Sequence, residues 1–121
     1  ERLYAEIRRF RTLAEETAWR AVDGWGGDTF VVWEREDGAR VCVWRTVWDN
    51  TAEAVEFERA LVALIPQRYL PVRPMDPPSG MPGQWWDTGT GAIHVSRVAR
   101  YVTFVYAPNV NTLINVVGVL P

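Results

Sequence analysis

Apolar residues recur at intervals of three and four in three parts of the chain, which is the spacing of an amphipathic helix. The first part covers residues 2–22, and residues 12–15 within it fit a capping box, so this part could be one helix or two. The second follows a predicted N-cap at Asn50 and ends at Pro66, and the third follows Pro108-Asn109. The side chains expected to face the core are Ala54, Phe57, Leu61 and Leu64 in the second helix, and Leu113, Ile114, Val117 and Leu120 in the third.

Two β-branched and aromatic runs predict a β-hairpin between the first two helical segments. They flank Glu36-Asp37-Gly38, a turn signal with glycine at the position that tolerates a positive φ. If all three residues form the loop, counting back from it pairs Thr29 with Arg45 and Asp28 with Thr46. A two-residue Asp37-Gly38 loop would shift this register by one position. The same register predicts that Asp28 and Arg45 lie within reach of a salt bridge.

Three further strands are predicted near the end of the chain, over residues 84–88, 92–99 and 100–106. Gly89-Thr90-Gly91 separates the first two, and Ala99-Arg100 must form a tight turn between the last two. Residues 70–83 are rich in proline and are predicted to form a long loop without regular structure.

The order of elements is therefore α-ββ-α-βββ-α. This order predicts an α+β fold, with an antiparallel sheet of about five strands and helices packed on one face. The 121 residues are the length of a single domain, 1–121. Because the chain opens with Glu1 and a helical pattern, we expect it to be excised from a longer chain.

Composition excludes several classes of function. The net charge of −2 gives no overall basic field for nucleic acid, and no apolar run approaches the ~18 residues of a membrane span. Cys42 is the single cysteine, so neither an intrachain disulfide nor a thiolate metal site is expected. We expect Cys42 to be a small, buried hydrophobic residue. His94 is the single histidine, and zinc normally takes three or four protein ligands. We therefore expect no metal and no cofactor.

The candidate site lies where the glycine-rich entry of the hairpin meets its exit. Tryptophan is abundant in the chain, and the pair Trp85-Trp86 follows the proline-rich loop. Neighbours on a strand point to opposite faces, so one of this pair should be exposed or cover a pocket. The candidate ligand-binding residues are Trp25, Gly26, Gly27, Asp28, Arg45, Trp48, Asp49, Trp85 and Trp86.

Each chemical interpretation of this site has a structural alternative. Gly26-Gly27 could form an anion-binding nest of backbone N–H groups, but the glycines are better explained by a sharp turn into the strand. Asp28 and Asp49 could act as an acid pair, although Asp49 is better explained by the cap of the next helix and Asp28 by Arg45 or turn amides. His94 shares a strand face with Ser96, and we expect it to be a surface or half-buried histidine.

Several strings resemble a C-terminal domain of prokaryotic proteins. They are the strings at residues 18–28, 43–49 and 54–57, and the resemblance covers about the first sixty residues. In those proteins the strings follow a zinc-peptidase-like domain of the gluzincin type, usually in an exported or lipoprotein context. The resemblance therefore implies a bacterial, extracytoplasmic protein. The basic residue that follows Gly-Gly-Asp in that family is Thr29 here, and the family's upstream His-Glu-x-x-His is absent from this chain. The element order also looks like the Mog1/PsbP-type sandwich.

These observations favour a non-catalytic accessory domain of a larger peptidase-like protein. Its expected partner is a neighbouring domain, a peptide or a small ligand. The alternative is a small hydrolase that uses an Asp/Glu pair near the Gly-Trp-Gly-Gly-Asp turn. That alternative requires Asp28, Asp49, Glu56 and His94 to converge.

Overall fold

Six strands form one antiparallel sheet in the computed structural model, which describes residues 25–34 (backbone only), 40–69 and 71–120. The spatial order is β1-β2-β6-β5-β4-β3. The described elements are β1 (Trp25–Glu34), β2 (Arg40–Trp48), α1 (Thr51–Arg68), β3 (Arg73–Met75), β4 (Gln84–Asp87), β5 (Ala92–Val98), β6 (Tyr101–Ala107) and α2 (Val110–Val119). The predicted α+β fold with an antiparallel sheet is confirmed, and the predicted helix over residues 2–22 lies outside the described residues.

The first hairpin has the register that was predicted from a three-residue loop. Asp28 pairs with Thr46 and Thr29 with Arg45. Beyond Asp28 the register shifts, because Trp25 pairs with Trp48 and β1 therefore contains one residue more than β2 over this interval. Such a bulge bends a strand and increases its twist. It falls at Gly26-Gly27, where the sequence placed a sharp turn.

The two described helices cover opposite faces of the sheet rather than one. Alternate residues along β2 and β6 pack against α1 and form the first face, which includes Trp44, Trp48 and Phe104. The intervening residues, including Val43 and Val105, pack against α2 and form the second face. The sequence carried a signal for this arrangement. Residues 41–44 and 104–107 are apolar without alternation, which is typical of strands buried on both faces.

Helix α1 begins and packs as predicted but ends later. The side chain of Asn50 accepts a hydrogen bond from the Glu53 N–H at 2.9 Å, which caps the helix. The buried residues of α1 are Ala54, Phe57, Leu61 and Ile65, and Leu64 packs partly buried against the same core. The helix continues through Pro66 to Arg68, because a proline in the last turn removes only one hydrogen bond.

The proline-rich segment contains a short strand that the sequence did not predict. Arg73–Met75 forms β3 and pairs with β4, with Pro74 opposite Trp86. This makes the sheet one strand larger than expected, and the prediction of no regular structure is wrong for these three residues. Proline is tolerated there because β3 lies at the edge of the sheet, where one side of the strand needs no hydrogen bond.

The last helix follows the prediction closely. The side chain of Asn109 accepts a hydrogen bond from the Thr112 N–H at 2.8 Å, and Leu113 is fully buried in the second core. Cys42 is also fully buried, on the first face, and burial raises the pKa of its thiol to about 11. Neither described helix is long and apolar enough to cross a membrane.

Candidate functional site

A cavity of about 250 Å³ lies on the second face, between the sheet, the end of α2 and the loop before β4. Pockets that hold drug-sized molecules usually measure about 300 to 1,000 Å³, so this cavity fits a smaller molecule or a single side chain. The lining residues are Arg45, Gly80, Met81, Pro82, His94, Ser96, Val98, Tyr101, Thr103, Val117, Gly118 and Leu120.

The register of the sheet explains the polar floor of the cavity. Arg45 pairs with Thr103, and Thr103 pairs with Ser96, so these three residues form one row across β2, β6 and β5. His94 lies two residues from Ser96 on β5, and successive side chains on one face are two residues apart. The walls that α2 and the loop contribute are mostly apolar, as at Val117 and Met81.

Arg45 carries the only formal charge among the described residues that line the cavity. Its guanidinium carbon lies 5.2 Å from the centre of the Tyr101 ring, which is within the range of a cation–π interaction. The side chain is half-buried at the cavity wall. Arg45 therefore places a guanidinium group at one end of the cavity.

His94 is buried and neutral, which corrects the prediction of a surface or half-buried histidine. It is 1 % exposed, and burial lowers its pKa to about 4. Nδ1 lies 3.2 Å from the carbonyl oxygen of Gln84. A carbonyl only accepts hydrogen bonds, so Nδ1 of the neutral ring carries the proton and donates it. The burial follows from α2 and the loop, which cover this face of the sheet.

The other ring nitrogen of His94 is a hydrogen-bond acceptor without a partner. With Nδ1 protonated, Nε2 of the neutral ring carries a lone pair. Nε2 is buried and has no hydrogen-bond partner in the described part of the chain. Buried polar atoms are paired in most proteins, and leaving such an acceptor unpaired lowers stability.

The prediction was that one of Trp85 and Trp86 is exposed or covers a pocket. Both are buried, and neither is among the residues that line the cavity. Trp85 lies on the second face, stacks on His94 with ring centroids 4.3 Å apart, and donates from its indole N–H to the Pro82 carbonyl at 3.0 Å. Trp86 lies on the first face and packs in the core under α1. Both faces of the sheet are covered, so neither indole needs to face solvent.

Two of the remaining candidates, Trp48 and Asp49, do not line the cavity with Arg45. Trp48 is fully buried on the first face, where its indole N–H donates to the Thr46 hydroxyl at 2.9 Å. Asp49 is exposed and precedes the helix cap, which Asn50 rather than Asp49 supplies. Trp25, Gly26, Gly27 and Asp28 are described by backbone alone, so their binding roles and the Asp28–Arg45 salt bridge stay predictions.

The residues of the hydrolase alternative do not converge. Glu56 lies exposed on α1, which covers the first face, whereas His94 is buried on the second face. The sheet therefore separates these two residues. Within residues 40–69 and 71–120, no three histidine, cysteine or acidic side chains form a group that could hold a metal ion.

Apart from Arg45, the residues that line the cavity were not among the candidate site residues predicted from the sequence. Ser96 on β5 and Thr103 on β6 are small polar residues that line the cavity. They are directly opposite each other across the tight turn that the sequence predicted at Ala99-Arg100. Extending that hairpin register would have brought them together, next to His94.

The sequence was also compared with known proteins. No curated protein and no solved structure matches the chain. Residues 4–117 match the family described as Domain of unknown function (DUF8575). This match spans nearly the whole chain, which therefore belongs to the DUF8575 family.

Proposed function

We propose that this domain is a non-catalytic binding module whose ligand occupies the cavity on the second face. The observation that carries the proposal is the cavity itself, which combines apolar walls from α2 and the loop with a polar floor on the sheet. Small-molecule sites are typically concave and mostly apolar, with a few polar groups that fix the orientation of the ligand. Ser96 and Thr103 supply such groups here.

The size of the cavity favours a small ligand over a broad protein interface. Stable protein interfaces bury roughly 800 Å² on each partner, whereas a cavity of about 250 Å³ encloses a small molecule or one side chain. The sequence resemblance supports a proposal about the larger protein that would contain this module. In that view the module is an extracytoplasmic accessory domain of a peptidase-like protein, and it binds the ligand on behalf of a neighbouring domain.

The test is an NMR screen of small fragments against methyl-labelled protein, with one variant that fills the cavity. Val117→Trp places an indole at a lining position, and Val119→Trp is the matched control, because Val119 is 81 % exposed on the same helix and does not line the cavity. We expect fragments to shift the methyl signals of Met81, Val117 and Leu120. Binding should be lost in Val117→Trp and retained in Val119→Trp. Fragments that bind both variants equally, or no binding at all, would contradict the proposal.

A further inference from the structure

Three successive cross-strand pairs of the β5–β6 hairpin lie along the second face at the cavity. The pairs are His94–Val105, Ser96–Thr103 and Val98–Tyr101. Exposure to solvent increases along this series. The first pair is buried and the second is half-buried, whereas Val98 is 66 % exposed and Tyr101 is 40 % exposed. The cavity is therefore most open beside the third pair, at the end of the hairpin, and most enclosed toward His94.

The middle pair presents two hydroxyl groups that are available to a ligand. Neither the Ser96 hydroxyl nor the Thr103 hydroxyl forms a hydrogen bond within residues 40–69 and 71–120, and neither oxygen is fully buried. Residues directly opposite each other on neighbouring strands project to the same face, with Cβ atoms about 5 Å apart. Two hydroxyls at this separation can bind the same group of a ligand through hydrogen bonds of about 2.8 Å.

The chemistry of the two hydroxyls favours an uncharged ligand group. A hydroxyl both donates and accepts hydrogen bonds, so a group that also does both makes full use of the pair. A carboxylate only accepts, an amidinium only donates, and either charge is costly to remove from water without a counter-charge. The one formal charge among the described lining residues is on Arg45, which is already engaged, over the Tyr101 ring among its contacts.

Apolar groups surround the hydroxyl pair and define the rest of the ligand. Met81 of the loop and Val117 and Leu120 of α2 contribute apolar walls, and Val98 and Tyr101 lie beside the open end. Moving hydrocarbon from water onto such surfaces is favourable, and the Tyr101 ring can pack against an aromatic ligand. The ligand is therefore expected to place its polar group on the hydroxyl pair and its apolar body toward the open end.

Resting on the proposed function, we infer that the ligand is a small uncharged molecule with an apolar body and one polar end that both donates and accepts hydrogen bonds, as a primary amide does. The amide N–H donates to one of the hydroxyls of Ser96 and Thr103, and the amide carbonyl accepts from the other. The apolar body packs between α2 and Tyr101. This inference deepens the proposed function because it names the class of ligand that the cavity selects.

The experiment compares four probes that share a phenyl ring and nearly the same shape, by NMR titration at neutral pH. The probes are benzamide, acetophenone, which only accepts, benzoate, which is an anion, and benzamidinium, which is a cation. We expect benzamide to bind at least about fivefold more tightly than each of the others, which is the effect of one hydrogen bond. Equal or tighter binding of acetophenone would overturn the donation to a hydroxyl. Equal or tighter binding of benzoate or benzamidinium would overturn the uncharged class.

Two variants assign the recognition to the hydroxyl pair. Ser96→Ala and Thr103→Val each remove one hydroxyl with little change in shape, and each should abolish most of the advantage of benzamide over acetophenone. Thr51→Val is the matched control, because Thr51 is exposed at the start of α1, on the other side of the sheet. It should keep the full advantage. A full advantage in both Ser96→Ala and Thr103→Val would overturn the inference.

A second measurement needs no variant. In the unaltered protein, the bound benzamide should show nuclear Overhauser effects to the methyl group of Thr103, which lies in the middle pair. The same contacts should be absent at the methyl group of Thr51. Binding of benzamide without a contact to Thr103 would overturn the inference, even if Ser96→Ala or Thr103→Val fails to fold.

Failure of this inference is distinguishable from failure of the proposed function. If apolar fragments bind and Val117→Trp blocks them, but benzamide has no advantage over the other three probes, the cavity is a binding site and the assigned ligand chemistry is wrong. If neither fragments nor probes bind, the proposed function fails as well. If the advantage of benzamide persists in Val117→Trp, benzamide binds outside the cavity and the inference is overturned.

Discussion

The imidazole of His94 lies against the indole of Trp85, with ring centroids 4.3 Å apart and an interplanar angle of 42°. Both rings are held by backbone carbonyls of the same segment, His94 by Gln84 and Trp85 by Pro82. Strand β5 is thereby held to the loop that closes the cavity. A change that disturbs this stack should affect stability and binding together.

The stability of the protein should fall as the pH is lowered from about 6.5 toward 4. The pKa of His94 is about 4 in the folded chain, against an ordinary value of 6.5. Between these values the unfolded state binds a proton that the folded state excludes, so stability rises with pH and levels off above about 6.5. The loss at pH 4.5 relative to pH 7.5 should be roughly 2 to 3 kcal/mol from this residue.

Urea unfolding at the two pH values measures this loss, and His94→Phe is its control. Carboxylates also titrate in this range, but their contribution persists in the variant. The pH dependence should therefore be clearly smaller in His94→Phe than in the unaltered protein. An identical dependence in both proteins would show that His94 is not buried in its neutral form.

Substitution of Gly83 by alanine should cost more stability than the same change at Gly80. Both glycines have a positive φ, 83° and 76°, so the backbone strain is similar. A Cβ at Gly83 would lie 2.5 Å from Cε1 of His94 and from the carbonyl oxygen of Val95, whereas a Cβ at Gly80 meets nothing within 4 Å. We expect an additional loss of about 1 to 3 kcal/mol for Gly83→Ala. Equal losses in thermal or urea unfolding would mean that the loop does not rest on His94.

The turn between β5 and β6 contains a residue in an unfavourable conformation. Ala99 has a φ of 51°, in the left-handed region that glycine adopts without a steric penalty. Ala99→Gly should stabilise the protein by roughly 0.5 to 1 kcal/mol, since relief of strain exceeds the added entropy of the unfolded chain. Ala99→Val should destabilise it, because a β-branched residue is strained further. The changes in the free energy of unfolding, measured with urea, should have opposite signs in the two variants. Changes of the same sign would contradict the left-handed conformation of Ala99.

Leu61 should be a major contributor to the first core. It is 1 % exposed and lies in the cluster that joins α1 to the sheet. Leu61→Ala should lower the free energy of unfolding by about 2 to 5 kcal/mol, the range of buried leucine truncations. Leu64→Ala removes the same atoms from a partly buried position and should cost less. A loss below about 0.5 kcal/mol at Leu61 would mean that the helix face is misassigned.

Local patterns predicted the elements of this fold well, because their causes are local. The Asn50 and Asn109 caps act within four residues, and the register of Thr29 with Arg45 follows from one short loop. The cavity depends instead on the pairing of Arg45 with Thr103. No short-range pattern in the sequence specifies which strand lies beside β2. Only this long-range pairing places Arg45 in the same row as Ser96.

The placement of helices on both faces could have been predicted, and it determines where the site lies. Continuous apolar runs in β2 and β6 indicate strands that are covered on both sides. Once α2 is placed on the second face, burial of Trp85 and His94 follows, and Trp48 is assigned to the opposite core. Of the candidate residues predicted from the sequence, Arg45 lines the cavity.

The most direct test of the binding proposal is an NMR titration of small fragments into the unaltered protein and into Val117→Trp, which fills the cavity. The account predicts that fragments shift the methyl signals of Met81 and Leu120 in the unaltered protein and in Val119→Trp, and that these shifts are lost in Val117→Trp. Shifts that persist in Val117→Trp, or no shift in the unaltered protein, would contradict the claim that the cavity is a ligand site.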